Sequence, residues 1–395
     1  MSYKKIILRP GKEAPVKRFH PWVFSGAIMK KDGDLNNGDI VELFSSGGEY
    51  LATGHFQDSN IAVKIFSFEQ VAIDPGFWRK KLQQALNLRR SLGLTDQHGA
   101  ASYRLVFSEG DGLPGLIMDY YAGNVVIQCQ TAGMHRVIDQ LVVILKDLFG
   151  NDLQSVYDKS QESYRHPDPV ETTAGRFLYG SREGTEILEN GHRFLVDWVK
   201  GQKTGFYLDQ RYNRLLAGSY ASGRKVLNAF CYSGGFSVYA AKGDASLVHS
   251  VDSSAQAIGW TKHNLETNGI PVEKHAEFVA DVKQFLPSLN ETYDMIILDP
   301  PAFAKTHLVT HNALQAYTFI NAEAIKRLAG GGILFTFSCS QAVSPDMFRS
   351  AVQSAAIEAG RETRILHTLS QGPDHPVSIF HPEGLYLKGL VLVVD

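Results

Sequence analysis

Four side chains in the second half of this 395-residue chain stand at the ends of apolar runs. Asp252 follows the run 247–251, and Asp281 the run 277–280. Asp299 follows 295–298, inside Asp299-Pro300-Pro301-Ala302-Phe303, and the run 333–337 ends in Ser338-Cys339-Ser340. A strand-end carboxylate accepts hydrogen bonds from two ribose hydroxyls in dinucleotide folds. Asp252 is placed for that work, and Asp281 for an adenine amino group. Once ionised, a thiol at a strand end is a nucleophile. It suits methylation of a pyrimidine carbon. Cytosine C5 is too weak a nucleophile by itself. A thiolate adding to C6 makes C5 enamine-like, able to attack a methyl sulfonium; loss of the C5 proton then expels sulfur. Asp299, facing the same crevice as Cys339, is the candidate to hydrogen-bond the base edge and help move a proton near N3 or N4. Simpler roles exist for both residue types: aspartate caps helices after strands, and free cysteine fills cores.

A further run, 226–230, leads into Cys231-Tyr232-Ser233-Gly234-Gly235-Phe236 and a helix from Ser237. A glycine turn at the carboxyl end of the first strand is where doubly wound sheets bind ligands. Its spacing is not GxGxxG, so a pyrophosphate cradle is not indicated. Cys231 reads as a pocket wall and Cys129, in an alternating run, as core. The runs 226–230, 247–251, 277–280, 295–298 and 332–337 alternate with helical stretches. That pattern predicts an α/β domain with a parallel sheet, helices on both faces and three carboxylates lining one crevice. The tail 385–394 reads as a long strand. Upstream, the segments 39–44, 49–56 and 61–66, with a Gly47-Gly48 turn, predict a small β-barrel. Residues 77–92 have helical spacing and read as a linker helix. Strands at 103–107, 116–120 and 125–130 with an amphipathic helix at 137–148 predict a mixed α/β region.

Hydrophobic residues make up 44 % and charged residues 20 % of the chain, which excludes a disordered or collagen-like chain. Three cysteines without a CxxC pair argue against zinc ribbons and disulfide frameworks, so no metal is expected. No apolar run reaches the ~18–20 residues of a membrane span, and no stretch of signal-peptide length opens the chain. A cytoplasmic protein is the expectation. The net charge of −2 speaks against a globally basic nucleic-acid binder. Residues 1–31 differ: Lys4, Lys5, Arg9, Lys12, Lys17, Arg18, Lys30 and Lys31 stand against Glu13 alone, interleaved with Phe19, Trp22 and Phe24. Such a patch neutralises phosphates, or is simply a solvated face.

The glycine loop, the strand-end carboxylates and Asp299-Pro300-Pro301 together resemble the class I S-adenosylmethionine-dependent methyltransferases. There the glycine loop cradles the methionine part, and an Asp/Asn-Pro-Pro-aromatic segment faces the acceptor base. Here Ala302 takes the fourth place and Phe303 is the aromatic. Further motifs extend the likeness along essentially the whole chain: Arg18-Phe-His-Pro-Trp-Val-Phe-Ser-Gly26, Arg104-Leu-Val-Phe-Ser-Glu-Gly-Asp-Gly-Leu-Pro-Gly115 and Lys203-Thr-Gly-Phe-Tyr-Leu-Asp-Gln-Arg211. In this order they resemble the RlmI-type ribosomal RNA large-subunit cytosine-5 methyltransferases. The resemblance implies a C-terminal Rossmann-like sheet, mostly parallel with an antiparallel C-terminal strand. It adds an N-terminal PUA β-barrel that binds RNA and a central mixed α/β domain. The boundaries expected are 1–70 for the barrel, 71–98 for the helical linker, 99–185 for the central domain and 186–395 for the methyltransferase domain. It implies S-adenosylmethionine as donor and Cys339 as nucleophile, with Asp299 beside it. Around the cofactor it places Phe206, Asp209, Asn228, Phe230, Tyr232, Ser233, Gly234, Asp252, Asp281, Asp299 and Pro300. The implied partner is large-subunit ribosomal RNA; a homodimer is left open. Residues 157–166 depart from the arginine- and glutamate-rich stretch of that family. Two other readings compete: an RNA nitrogen methyltransferase using the Asp-Pro-Pro loop without a thiol, and a non-catalytic RNA-binding assembly factor.

Overall fold

Alternation of apolar strands with helices builds a seven-stranded sheet from the second half of the chain. Its strands are β14 (Lys225–Ala229), β15 (Leu247–Asp252), β16 (His275–Val279), β17 (Tyr293–Leu298), β18 (Leu328–Ser338), β19 (Thr363–Leu369) and β20 (Lys388–Val394). They pair in the order β16-β15-β14-β17-β18-β20-β19. β20 runs antiparallel to both neighbours, and the β16–β15, β15–β14, β14–β17 and β17–β18 ladders are parallel. The order reverses at β14, between β15 and β17, the switch point where such sheets open a crevice. Helices α5 (Arg211–Ser219), α6 (Gly235–Lys242), α7 (Ala255–Thr267), α8 (Val282–Ser288), α9 (Thr310–Lys326) and α10 (Pro345–Ala359) complete this part. One core lies between the sheet and α8–α10, around Leu286, Tyr317, Ile325, Leu334 and Val352; the second, on the opposite face, includes Val226, Phe236, Phe335 and Val391. The expected mostly parallel sheet with its antiparallel C-terminal strand is thus present.

The computed structural model describes residues 3–95, 100–160, 175–304 and 309–395. The chain divides into two compact units: 1–187, 196–208 and 373–384 form the first, and 188–195, 209–372 and 385–395 the second. In the first unit, β1 (Lys4–Leu8), a turn of helix α1 (Ala14–Lys17), β2 (Trp22–Phe24), β3 (Ile28–Lys31), β4 (Ile40–Phe44), β5 (Tyr50–Phe56) and β6 (Ile61–Ser67) open the chain. The six strands pair as β2-β6-β5-β4-β1-β3, with Ile6, Leu8, Val41, Leu43 and Val63 in the core. Next come α2 (Pro75–Ser91), β7 (Ser102–Phe107), β8 (Leu116–Tyr121), β9 (Asn124–Cys129), α3 (Ala132–Arg136), α4 (Ile138–Phe149), β10 (Ser155–Asp158) and β11 (Arg176–Tyr179). Asp74 caps α2 by accepting from the Phe77 amide at 2.9 Å. Trp78, Leu82 and Leu86 then bury α2 in the same core as β7–β9 and α4. Arg89 on α2 is wholly buried and bidentate to Asp111, and it also donates to the Asp374 carbonyl at 2.7 Å. The Arg104–Gly115 segment is therefore held from beneath by a guanidinium. β12 (Gly184–Glu189) and β13 (His192–Asp197) form a hairpin through Asn190 and Gly191, both in left-handed conformation.

Of the segment 157–166, residues 161–166 lie outside the described residues. No helix among the described residues is long and apolar enough to cross a membrane. In the basic N-terminal stretch all eight cations are exposed, and Phe19 and Phe24 are about half exposed. Trp22 departs from that pattern: its indole donates to the Glu109 carboxylate at 2.8 Å and packs edge-on against His381. An indole N–H that leaves water needs an acceptor, and Glu109 supplies it.

Candidate active site

The turn after β14 is built from unusual backbone. Phe230, Tyr232 and Gly234 all have positive φ, at 61°, 48° and 76°. Two non-glycine residues in left-handed conformation cost free energy and persist only where neighbours over-determine them. Cys231 N–H donates to the Val251 carbonyl at 3.0 Å, and Gly234 N–H to the Cys231 carbonyl at 2.8 Å. From α7, Thr261 donates its hydroxyl to the Tyr232 carbonyl and Asn264 its amide to the Ser233 carbonyl, both at 2.8 Å. A Cβ on Gly234 would sit 2.7 Å from Thr261 Cγ2, so the close approach to α7 requires glycine there. The result is a rigid loop whose carbonyls are tied back to the helix behind it.

Asp252 lies at the end of β15 and accepts from Tyr232 N–H at 3.0 Å and Ser254 N–H at 2.9 Å. It clasps the turn after β14 to the start of α7, and a carboxylate with two such bonds keeps further acceptor capacity. Asp281, after β16, is exposed and caps α8 through the Lys283 N–H at 2.9 Å. Asn228 is buried; its amide donates to Ser237 Oγ at 2.8 Å, tying β14 to α6, while its Oδ1 has no hydrogen-bond partner among the described residues. Asp209 accepts a short hydrogen bond from Tyr386, and its buried Oδ1 likewise has no partner there. Both atoms are open acceptors within the second unit. Phe206 is buried in the first unit, where its carbonyl accepts from Tyr121 at 3.3 Å; the other expected site residues belong to the second.

Asp299 follows β17 and accepts from Gln210 Nε2 at 3.0 Å; Gln210 is oriented in turn by Asn213, whose amide donates to its Oε1 at 2.6 Å. Burial, reinforced by the Asp209 carboxylate, pushes the Asp299 carboxyl up to about 7, against the opposing pull of Gln210 and Arg214. A carboxyl poised there serves either as a proton donor or as an acceptor near neutral pH. The sign of the linkage is definite. A carboxyl raised above its unfolded value costs nothing below about pH 4 and carries its full ionisation penalty above about pH 7. Asp299→Asn removes the penalty. It should make the protein more stable by about 1–2 kcal/mol at pH 8 and leave it nearly unchanged at pH 4, as read by urea unfolding. An equal difference at both pH values would contradict this origin of the shift.

Cys339 stands directly after β18, partly exposed, with Sγ 4.0 Å from the Pro300 carbonyl. Cys129 and Cys231 are buried, and burial pushes both thiols up, out of the reactive range. The two serines beside Cys339 are structural. Tyr317 of α9 lies within hydrogen-bond distance of Ser338 Oγ and Ser340 Oγ, both at 2.9 Å, and Ser340 Oγ accepts from the Ala304 N–H at 3.2 Å. That network ties the strand end carrying Cys339 to the Asp299-Pro300-Pro301 segment. The second unit thus brings together Cys339, Pro300, Asp299 and Asp209 in one linked group, and Tyr232, Ser233, Gly234 and Asp252 in another, at neighbouring strand ends.

Several participants were not singled out from sequence: Gln210, Thr261, Asn264, Tyr317, Tyr386 and Lys388. Of these only Lys388 carried a signal, a charge inside the apolar run 385–394. Among the described residues no cluster of three or more His, Cys, Asp or Glu side chains is arranged to hold a metal ion.

A model of the S-adenosylmethionine-dependent methyltransferase family matches residues 132–379, and a PUA-like domain model matches residues 6–68. In fold the chain is similar to a Streptococcus mutans protein described as a SAM-dependent methyltransferase, with TM-score 0.84 and 23 % identity over 98 % of this chain and 99 % of that one. A second solved methyltransferase, complexed with SAH, has TM-score 0.85 and 22 % identity over the same shares. Fold and site together define a class I S-adenosylmethionine-dependent methyltransferase. Proteins named ribosomal RNA large subunit methyltransferase I are similar along the full length: one from Pseudoalteromonas atlantica is 39 % identical over 99 % of both chains, and one from Aeromonas hydrophila 40 % identical over 98 % of both. The chain belongs to this methyltransferase I family.

Proposed function

We propose that the chain methylates C5 of a cytosine in large-subunit ribosomal RNA, through a transient bond between Cys339 Sγ and C6. The observation that carries the reading is the single partly exposed thiol, on a strand end tied to the Asp299-Pro300 segment, while the other two cysteines are buried. The names of the full-length relatives support the RNA class. The exposed cations of residues 1–31, with Phe19 and Phe24, suit phosphate and base contacts.

The open Oδ1 atoms of Asn228 and Asp209 and the rigid 230–234 loop fit a cofactor with hydrogen-bond donors. Asp252 would accept from ribose hydroxyls and Asp281 from the adenine amine. Phe230, Tyr232, Ser233, Gly234 and Pro300 would wall the remainder, with Asn228 as a further candidate. When bound, S-adenosylmethionine supplies an electrophilic methyl group. The chain's own residues do the rest. Cys339 adds to C6 and moves electron density to C5; Asp299 holds a proton at the N3/N4 edge; loss of the C5 proton then expels the thiolate. Asp252→Ala should weaken S-adenosylmethionine binding about 100-fold by calorimetry, since a charged acceptor is lost at two donors. Unchanged affinity would remove Asp252 from the site.

The test of the reaction is incubation of the chain with labelled S-adenosylmethionine and unmodified large-subunit ribosomal RNA, followed by nucleoside analysis. 5-Methylcytidine is expected. A methylated purine or exocyclic amine would move the reading to nitrogen methylation, and failure to bind S-adenosylmethionine to a non-catalytic role.

A further inference from the structure

Lys388 opens β20, directly across the ladder from Ser338, two residues before Ser340 on the neighbouring strand. It is 7 % exposed, and its Nζ donates to the Ser340 carbonyl at 2.7 Å. No carboxylate among the described residues pairs with it. A buried ammonium without a counter-ion is costly, and an anion formed nearby offsets that cost. The carbonyl it grips belongs to the residue after Cys339, so the charge is anchored to the segment that carries the thiol. The other titratable groups around this strand end are Tyr317 from α9, Asp299 after β17, and Asp209 with the Tyr386 that donates to it, two residues before Lys388. Burial pushes the Tyr317 phenol up, so it stays neutral, and Asp299 is protonated up to about pH 7. Burial also pulls the Lys388 ammonium down to about 8, and the neighbouring Cys339 opposes that pull.

We propose that Lys388 is the counter-ion of the nucleophile, a positioning residue that holds Cys339 as a thiolate. The inference deepens the covalent reading and rests on it. The Sγ proton leaves to water, and the charge of the Lys388 ammonium, protonated throughout, holds the thiolate that remains. The thiolate electron pair forms the S–C6 bond, and the C5=C6 pair moves to C5. That pair would form the C5–CH3 bond, the methyl–sulfonium pair staying on the donor's sulfur; when a base takes the C5 proton, the C5–H pair restores C5=C6 and the S–C6 electrons return to sulfur. The thiolate re-forms beside the same ammonium, and Lys388 ends the cycle with the proton it held at the start.

The thiol can be titrated without RNA. Intact protein is alkylated with iodoacetamide across pH 5–10, and the Cys339 peptide is quantified by mass spectrometry. In the wild type, half-maximal reactivity is expected below the ordinary thiol value of about 8.5. In Lys388→Met it should move up by about 1–2 pH units, with Lys388→Arg restoring much of the difference. Methylation by Lys388→Met should fall about 10–100-fold at pH 7 and recover towards wild type as the pH rises. A structural role alone would not produce that recovery. A wild-type midpoint at or above about 8.5 overturns the proposal, and needs no variant to fold. So does an identical midpoint in a folded Lys388→Met. Cys339→Ala separates the two levels. If it still methylates RNA, the covalent reading falls and the lysine's role with it. If it is inactive while the thiol titrates normally without Lys388, only the lysine's role falls.

Discussion

Cys339→Ala should abolish methylation of cytosine C5, with a loss of about ten-thousand-fold in kcat and no more than a small change in S-adenosylmethionine affinity. The first half follows from the chemistry: without addition at C6, C5 is not nucleophilic enough to take a methyl group. The second half follows from position. Cys339 follows β18, whereas the 230–234 loop follows β14 and Asp252 ends β15, so the loop and its bonds to α7 stay intact. A complementary result should come from the wild type. RNA carrying 5-fluorocytidine at the target cannot lose a proton from C5, so methylation should leave the RNA bonded to the Cys339 peptide. Methylation that survives the alanine change, or the absence of such an adduct, would end the covalent mechanism and favour nitrogen methylation.

Glu189→Ala should destabilise the protein by about 3–5 kcal/mol, the largest stability effect we expect from one side chain. Glu189 is wholly buried at the end of β12 and is bidentate to Arg214, with contacts at 2.9 and 2.8 Å. Arg211 approaches the same carboxylate at 3.4 Å, and Tyr239 donates to it at 3.0 Å. Removing the carboxylate takes from two buried guanidinium groups the anion they share. The network also underlies the loop after β14. A Cβ on Gly235 would lie 3.0 Å from Arg214 Cδ, so the guanidinium stem packs directly beneath the start of α6. Weaker S-adenosylmethionine binding should therefore accompany the loss of stability. Denaturant unfolding followed by calorimetry checks both; a loss below about 1 kcal/mol would mean that the cluster is solvated in solution.

The elements that sequence periodicity captured are those with one dry face or two. The run read at 61–66 is β6 (Ile61–Ser67), and the helix read at 77–92 is α2 (Pro75–Ser91), starting at the Asp74 cap and Pro75. The run read at 226–230 stops one residue earlier, because Phe230 turns left-handed. β19 escaped notice: as an edge strand it is largely exposed, and no apolar alternation marks it. The β12–β13 hairpin carried a usable signal, Asn190-Gly191 between alternating apolar residues, that went unread.

The same division runs through the site. The sequence by itself determined which residue types stand at the carboxyl ends of the sheet strands: Asp252, Asp281, Asp299 and Cys339. A strand and the turn that follows it are local, and the crevice rule for open α/β sheets is general. Only the tertiary structure decided what surrounds those groups. Tyr386 reaches Asp209 across 177 positions of chain, and Lys388 reaches the Ser340 carbonyl across 48. Glu189 and Arg214 meet because a hairpin and a helix pack together, not because of any spacing between them. Such partners are selected by strand register and by the free-energy cost of burying a charge alone, and neither quantity has a periodic signature. The carboxyl poised near neutrality and the buried ammonium on the Ser340 carbonyl exist only once the chain has closed around them.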